Sequence, residues 1–334
     1  MDTETHERPA NSTVSPTRSA EHVTELAASA RRAYALIEDV GRWPLLFAPC
    51  IWSQELELTG DIQRIRLWAV VGNGVRSWTS RRVLDPAGNR IDFAQETPVA
   101  PLTEMSGHWL FQDASPGSPG RLELGHRWTT DGDPGAADRI AAALDSNSTV
   151  EIGALRSWAE RPEEPDELIL TFSDDELIAA PAAEVYDFLY RADLWPERLP
   201  HVAGLDLETV PAEAATAGAE VQTMDMETSA ADGSKHTTQS VRLCFEGERI
   251  VYKQTTPPRG LLAHSGEWLF SSGPEGTRVT AWHTIALDPA EVESVFGPGT
   301  TLAQALVKAR DIIGANSRGT LRTARSHLGQ GAAE

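Results

Sequence analysis

The sequence predicts an α+β protein made of two tandem helix-grip units. Each is a curved antiparallel sheet wrapped around a long C-terminal helix, with an internal cavity between them. Three observations predict it. Blocks of the first half recur in the second. Each half reads as a strand, a short helix, six more strands of 7–11 residues and a long helix. Strands that precede one long helix close onto it as a single antiparallel layer.

The repeats are specific. YALIEDVGRWPLLFAPCIWSQELEL at 34–58 aligns with YDFLYRADLWPERLPHVAGLDLE at 186–208, and GHWLF at 107–111 with GEWLF at 266–270. LELGHRWTTDGDP near 122–134 is set against TRVTAWHTIALDP near 277–289, and Asn-Ser recurs at 147–148 and 316–317. Trp43 and Trp195 are 152 residues apart, Trp109 and Trp268 159, Asn147 and Asn316 169, the drift that loop insertions produce. The reading is a domain duplication: a disordered polar tail over 1–18, a first domain over 19–161, the proline-bearing linker 162–167 and a second domain over 168–330.

In order, the short helices are expected at Ala30–Ile37 and Pro181–Leu189, with Pro181 in the first turn. Trp43-Pro44 and Trp195-Pro196 then redirect the chain. Gly72-Asn73-Gly74, Asp85 to Asn89, Asp232-Gly233 and Glu246-Gly247 mark hairpin turns. The long helices are expected at about 136–160 and 289–328, the second with Leu302, Leu306 and Ile313 at helical spacing.

Composition narrows the function classes. The 334 residues carry 29 basic and 49 acidic side chains, a formal net charge of −20. Phosphate is repelled by such a chain, so neither nucleic acid nor anionic membrane is an expected partner. No run approaches the ~18 apolar residues of a membrane helix. The N-terminal segment lacks the apolar core of a secretory signal. Cys50 and Cys244, far apart, suit a reducing cytoplasm better than a disulfide framework.

Alternation along a strand selects the chemistry. Trp78, Ser80 and Arg82 share one face, as do His236, Thr238, Ser240 and Arg242, so both halves place Ser-x-Arg on one strand face. A guanidinium turned into a cavity needs a carboxylate or an anionic or enolisable ligand. The structural alternative is that it faces solvent or pairs with Glu96 or Glu267. Trp43, Trp78, Trp109 and Trp128 fall where Trp195, Thr238, Trp268 and Trp282 fall in the second half. Rigid indoles stack on planar or polycarbonyl guests and also serve as plain core. Asn147 and Asn316 are candidates to point from the long helices into the cavities. The nine histidines show no metal-ligand spacing, Gly72-Asn73-Gly74 precedes no helix, and Cys50 has no evident histidine partner. No metal and no cofactor is expected.

The duplicated pattern of Trp-Pro, Trp-x-Ser-x-Arg, two further Trp and Asn-Ser resembles the aromatase/cyclases of bacterial type II polyketide synthases, in their tandem two-domain form, over about residues 20–330. The resemblance implies the START/Bet v1-like helix-grip fold, shared with lipid-transfer and pollen-allergen proteins. It implies C7–C12 first-ring aldol cyclisation and dehydrative aromatisation of a poly-β-ketone carried on an acyl carrier protein, beside other type II synthase subunits and in the cytoplasm. Carried over, Arg82 and Arg242 stand at the family's pocket arginine and Ser80 and Ser240 at its pocket serine. Trp43, Trp78, Trp109, Trp128, Trp195, Trp268 and Trp282 stand at its pocket-shaping aromatics. Single-domain relatives carry a pocket tyrosine after the Trp-Pro step; here Cys50 and Val202 stand there, so a phenol donor is missing at that place in both halves. His108, His126, His236 and His264 remain available for proton transfer. The acidic carrier protein is expected to dock on local basic patches, with Arg31, Arg32, Arg64, Arg66 and Arg81 as candidates. The competing class is a noncatalytic carrier of a hydrophobic small molecule, which has no need of a paired Ser-x-Arg.

Overall fold

A computed structural model describes residues 17–72, 74–131, 134–229 and 235–331. The hairpin expected at Asp232-Gly233 and the first 16 residues of the expected tail lie outside the described residues. In the first half, β1 (Arg18–Leu26) leads into α1 (Ala30–Glu38) and the single turn α2 (Trp43–Leu46). Ser29 caps α1 by accepting from the Arg32 amide at 3.3 Å. Ala30, Ala33, Tyr34, Leu36 and Ile37 form its buried stripe. Then follow β2 (Cys50–Thr59), β3 (Ile62–Val71), β4 (Gly74–Asp85), β5 (Arg90–Gln95), β6 (Leu102–Gln112), β7 (Gly120–Thr130) and the long α3 (Pro134–Ala159). The sheet order is β1-β7-β6-β5-β4-β3-β2, each neighbour antiparallel, and α3 lies against β1 and β7.

The second half repeats the order after a short α4 (Pro165–Leu168). It has β8 (Ile169–Ile178), α5 (Ala182–Tyr190), α6 (Trp195–Arg198), β9 (Val202–Val210), β10 (Glu220–Ser229), β11 (Lys235–Phe245), β12 (Arg249–Thr256), β13 (Leu261–Gly273) and β14 (Gly276–Leu287). A turn at Pro289–Glu291, α7 (Val292–Phe296) and α8 (Leu302–Gly331) complete it, with sheet order β8-β14-β13-β12-β11-β10-β9. Two details depart from expectation. Pro181 precedes α5 as its N-cap, with ψ of 146°. The single helix expected over 289–328 is broken, because Gly297 and Gly299 take φ of +102° and +73°, which only glycine adopts without strain.

Cross-strand register decides which residues share a face. The row Gln63, Arg82, Phe93, Gly107, His126, Ala20 crosses the first sheet. Gln222, Arg242, Tyr252, Gly266, His283, Phe172 crosses the second. This face carries the long helix of each half: Ile91, Trp109, Leu122 and Leu124 pack with Ile152 and Leu155 of α3 in the first core. The opposite faces meet each other. Ile51, Trp68 and Val75 pack against Val221, Val241, Leu243 and Val251. Trp68 Nε1 donates to the Thr216 carbonyl at 2.9 Å. The halves are therefore joined back to back through these outer faces, and Ala263, Ala286 and Leu302 of the second half also pack with the first core.

Candidate active site

Both Ser-x-Arg pairs lie on the concave faces. Arg82 and Arg242 are 1% and 3% exposed, and Ser80 and Ser240 are buried beside them. Glu96 and Glu267 are not their partners, for these pair with Arg64 and Arg249. Each guanidinium instead meets the C-terminal end of the short helix, where unpaired carbonyls carry partial negative charge. Arg82 Nη2 donates to the Ile37 carbonyl at 2.6 Å, and Arg242 Nη2 to Leu189 at 2.8 Å. The tryptophan of each Trp-Pro step covers the cation, with the guanidinium carbon 5.1 Å from the ring centroid in both halves. Burial lowers the Arg82 pKa to about 10, so it stays cationic at neutral pH. The halves differ at the other nitrogen. Arg242 Nη1 reaches the Tyr190 carbonyl at 3.5 Å and the Met224 sulfur at 3.8 Å. Arg82 Nη1 is buried with no hydrogen-bond partner.

The structure corrects three of the candidates. Trp128 pairs with Met105, and the matching pair in the second sheet is His264 with Ile285, so Ile285 is the counterpart of Trp128. Trp282 pairs with Glu267, is 39% exposed and lies on the outer face, where it cannot line the concave interior. Asn147 and Asn316 are exposed, whereas Ser148 and Ser317, one residue on, are buried. One position is about 100° of helical turn, enough to move the inward residue from asparagine to serine. The remaining indoles stay on the concave side: Trp43, Trp78, Trp109 and Trp128 against the first core, Trp195 and Trp268 against the second.

The histidines separate into inner and outer groups. His108 pairs with Glu123 at 2.9 Å, its ring over Gly125 on the outer face, and His236 is exposed. His126 faces inward, 3.3 Å from the Ser148 hydroxyl, and burial lowers its pKa to about 4. Burial also raises Glu151, on the inner side of α3, to about 7, and the Cys50 thiol to about 12, so the thiol is no nucleophile.

A group missed in the sequence sits in the second half. Tyr252 Oη lies 2.6 Å from His283 Nδ1 and 3.2 Å from His264 Nε2, and His264 Nδ1 lies 2.8 Å from Gln254 Oε1. Burial lowers His264 to about 3 and His283 to about 4, and raises Tyr252. Only the cross-strand register signals this cluster, since its members come from three strands.

The surface arginines are mostly engaged. Arg31 faces Glu38 at 3.8 Å, Arg32 faces Glu164 at 3.2 Å, and Arg64 grips Glu96 at 2.7 Å. Arg31 and Arg32 flank a cleft of about 860 Å³ between α1, the end of α3 and α4. Arg64, Arg66 and Arg81 lie instead on the face away from α3. No helix among the described residues is long and apolar enough to cross a membrane.

Comparison with known proteins agrees with this architecture. Residues 26–152 and 170–321 each match a family described as polyketide cyclase/dehydrase and lipid transport. The chain is 44% identical over 307 residues to the granaticin polyketide synthase bifunctional cyclase/dehydratase of Streptomyces violaceoruber, covering 91% of this chain and 92% of that one. It is 44% identical over 313 residues to the actinorhodin polyketide synthase bifunctional cyclase/dehydratase of Streptomyces coelicolor, covering 92% and 96%. Among solved structures it is similar to the di-domain ARO/CYC BexL from the BE-7585A biosynthetic pathway, with a TM-score of 0.76, 41% identity and coverage of 93% and 98%. The di-domain ARO/CYC StfQ from the steffimycin pathway gives a TM-score of 0.72 at 32% identity, covering 94% and 100%. With both halves matched and the tandem architecture shared along its length, the chain belongs to the polyketide cyclase/dehydrase family and is a two-domain polyketide aromatase/cyclase.

Proposed function

We propose that the protein directs first-ring C7–C12 aldol cyclisation, followed by dehydrative aromatisation, of a poly-β-ketone held on an acyl carrier protein, working beside other type II polyketide synthase subunits. The observation that carries this reading is the unpartnered Nη1 of Arg82, fixed on the concave face by the bond from its other nitrogen to Ile37. An intramolecular aldol needs a bent chain, an enolate carbon and a polarised carbonyl. The concave wall of Trp43, Trp78, Trp109 and Trp128 restrains the chain and supplies proximity. Arg82 Nη1 is sealed from solvent, so the entering chain must displace its cover before that nitrogen donates to the carbonyl oxygen as it becomes an alkoxide, and the apolar surroundings then strengthen that contact. Ser80, two residues away on the same face, relays the proton. Arg242, with both terminal nitrogens engaged, acts chiefly as the anchor of α5, and Ser240 stands beside it in the same position as Ser80.

The carrier protein docks at the cleft flanked by Arg31 and Arg32, whose own carboxylate partners yield to the acidic carrier. Supplying the protein to a minimal polyketide synthase tests the whole reading: the C7–C12 aromatic product should replace shunt products, and an unaltered product spectrum contradicts it. Reversing Arg31 and Arg32 to Glu should weaken carrier binding in a titration, and unchanged affinity removes the docking site.

A further inference from the structure

We propose that the second half holds its own proton-transfer site, in which the Tyr252 phenol, set by His283 and His264, acts on a β-hydroxy ketone to expel water. The inference rests on the aromatase/cyclase reading and deepens it by naming a residue and a half for the dehydration.

The duplication supplies an internal control. At the same register the first sheet carries Arg82, Phe93, Gly107 and His126 where the second carries Arg242, Tyr252, Gly266 and His283. Met105 likewise stands where His264 stands. The fold is therefore satisfied by Phe and Met at these places. Burying a phenol and an imidazole there instead carries a desolvation cost that the scaffold does not require.

Geometry suits the role. A carboxamide oxygen only accepts, so His264 donates from Nδ1 to Gln254 Oε1 at 2.8 Å. Being neutral, it presents Nε2 as an acceptor to the phenol at 3.2 Å. His283 Nδ1 flanks the same oxygen at 2.6 Å. The phenol lies over Gly266, where a Cβ would stand 2.5 Å from the phenol oxygen and closer still to the Trp282 carbonyl, so both the ring and the sheet backbone require glycine there. His264 and His283 are sealed, while Tyr252 keeps accessible surface. Tyr252 sits mid-sheet, paired with a strand on each side, on the face that carries the long helix, so of the three side chains it is the one best placed to meet a guest there.

The step balances without a further reagent. The phenol proton leaves with the β-hydroxyl as water while the carbon–oxygen bond breaks. The electrons of the α carbon–hydrogen bond form the new double bond. The proton shed from that carbon returns to the phenolate, so Tyr252 ends as it began. Tyr252 is the catalytic acid; His264 and His283 are positioning residues.

The test compares wild-type protein and Tyr252→Phe in the full chain, with a minimal polyketide synthase and its carrier protein, reading cyclised against dehydrated product. Tyr252→Phe should lower the dehydrated fraction roughly 100-fold, the usual scale for a lost acid–base group, while ring closure and melting temperature hold. Phenylalanine is what the first half carries at this register, and His264 and His283, 3.3 Å apart, can pair with each other when the phenol is removed, so the variant keeps the fold. An unchanged ratio in Tyr252→Phe, with wild-type ring formation intact, overturns the phenol's role; a wild-type protein that forms no ring overturns the underlying reading instead.

Discussion

Lys253 Nζ, from the second half, donates to the Cys50 carbonyl of the first at 2.9 Å, and also to the carbonyls of Phe47 and Ala48 at 2.6 and 2.8 Å. These carbonyls form the turn just after the Trp43-Pro44 step, so the second half clamps the wall of the first half's concave site. Burial among neutral groups lowers the Lys253 pKa to about 8.

Lys253→Met leaves three inward carbonyls without their donor, at about 1–3 kcal/mol, partly offset by removing a buried charge. Urea unfolding should show that loss, and ring formation should fall although Lys253 lies outside the site. An unaltered midpoint would show the clamp to be inert.

Separated halves should not behave as independent domains. Cutting in the 162–167 segment exposes Ile51, Trp68 and Val75 on one piece and Val241, Leu243 and Val251 on the other. Each half alone should aggregate or melt well below the intact chain, and mixing them should restore part of the stability. Two soluble halves, each melting as the whole does, contradict the back-to-back core.

Acid should destabilise the fold from about pH 6.5 downward. His126, His264 and His283, lowered to about 4, 3 and 4, stay neutral when folded but take up protons when unfolded. Glu151, raised to about 7, works the other way, holding a proton in the folded state between about pH 4.5 and 7. His201, also lowered by burial, adds to the imidazoles, and Glu267, also raised by burial, to the carboxylate; four groups against two leave the unfolded chain binding more protons over about pH 4.5–6.5, so stability falls as pH falls. Melting temperatures across that range should slope accordingly; a flat or inverted slope contradicts the buried neutral imidazoles.

Glu151→Gln separates that opposing contribution. Above pH 7 the wild-type carboxylate is charged in a poorly solvated place, and the amide removes the penalty, about 1–3 kcal/mol. Stabilisation should appear at pH 8 and vanish near pH 5. Equal effects at both values would show that Glu151 does not titrate as a buried acid.

The fold was legible because the duplication repeats its own punctuation: Trp-Pro steps, hairpin glycines and a closing helix. Strand parity put Ser80 with Arg82 and Ser240 with Arg242 on a shared face, since alternation needs no long-range information, and only the recurrence of the pair in both halves favoured the inner side. Three things needed coordinates. Helix phase separates Asn147 from Ser148 by a single residue. The match of Trp282 to Trp128 followed like letters, whereas the register sets Trp282 against Glu267 and gives that place to Ile285. Tyr252, His264 and His283 come from β12, β13 and β14, and their meeting depends on pairing that no local spacing encodes.

The central claim is that the free nitrogen of Arg82 stabilises the developing alkoxide of the first ring. Arg82→Lys tests it most directly, because an ammonium keeps the charge and a bond to Ile37 but lacks the second, fixed donor. In a minimal polyketide synthase assay the first-ring product should fall by about 10²–10³, with melting within a few degrees of wild type. Normal yield and regiochemistry from Arg82→Lys would contradict it.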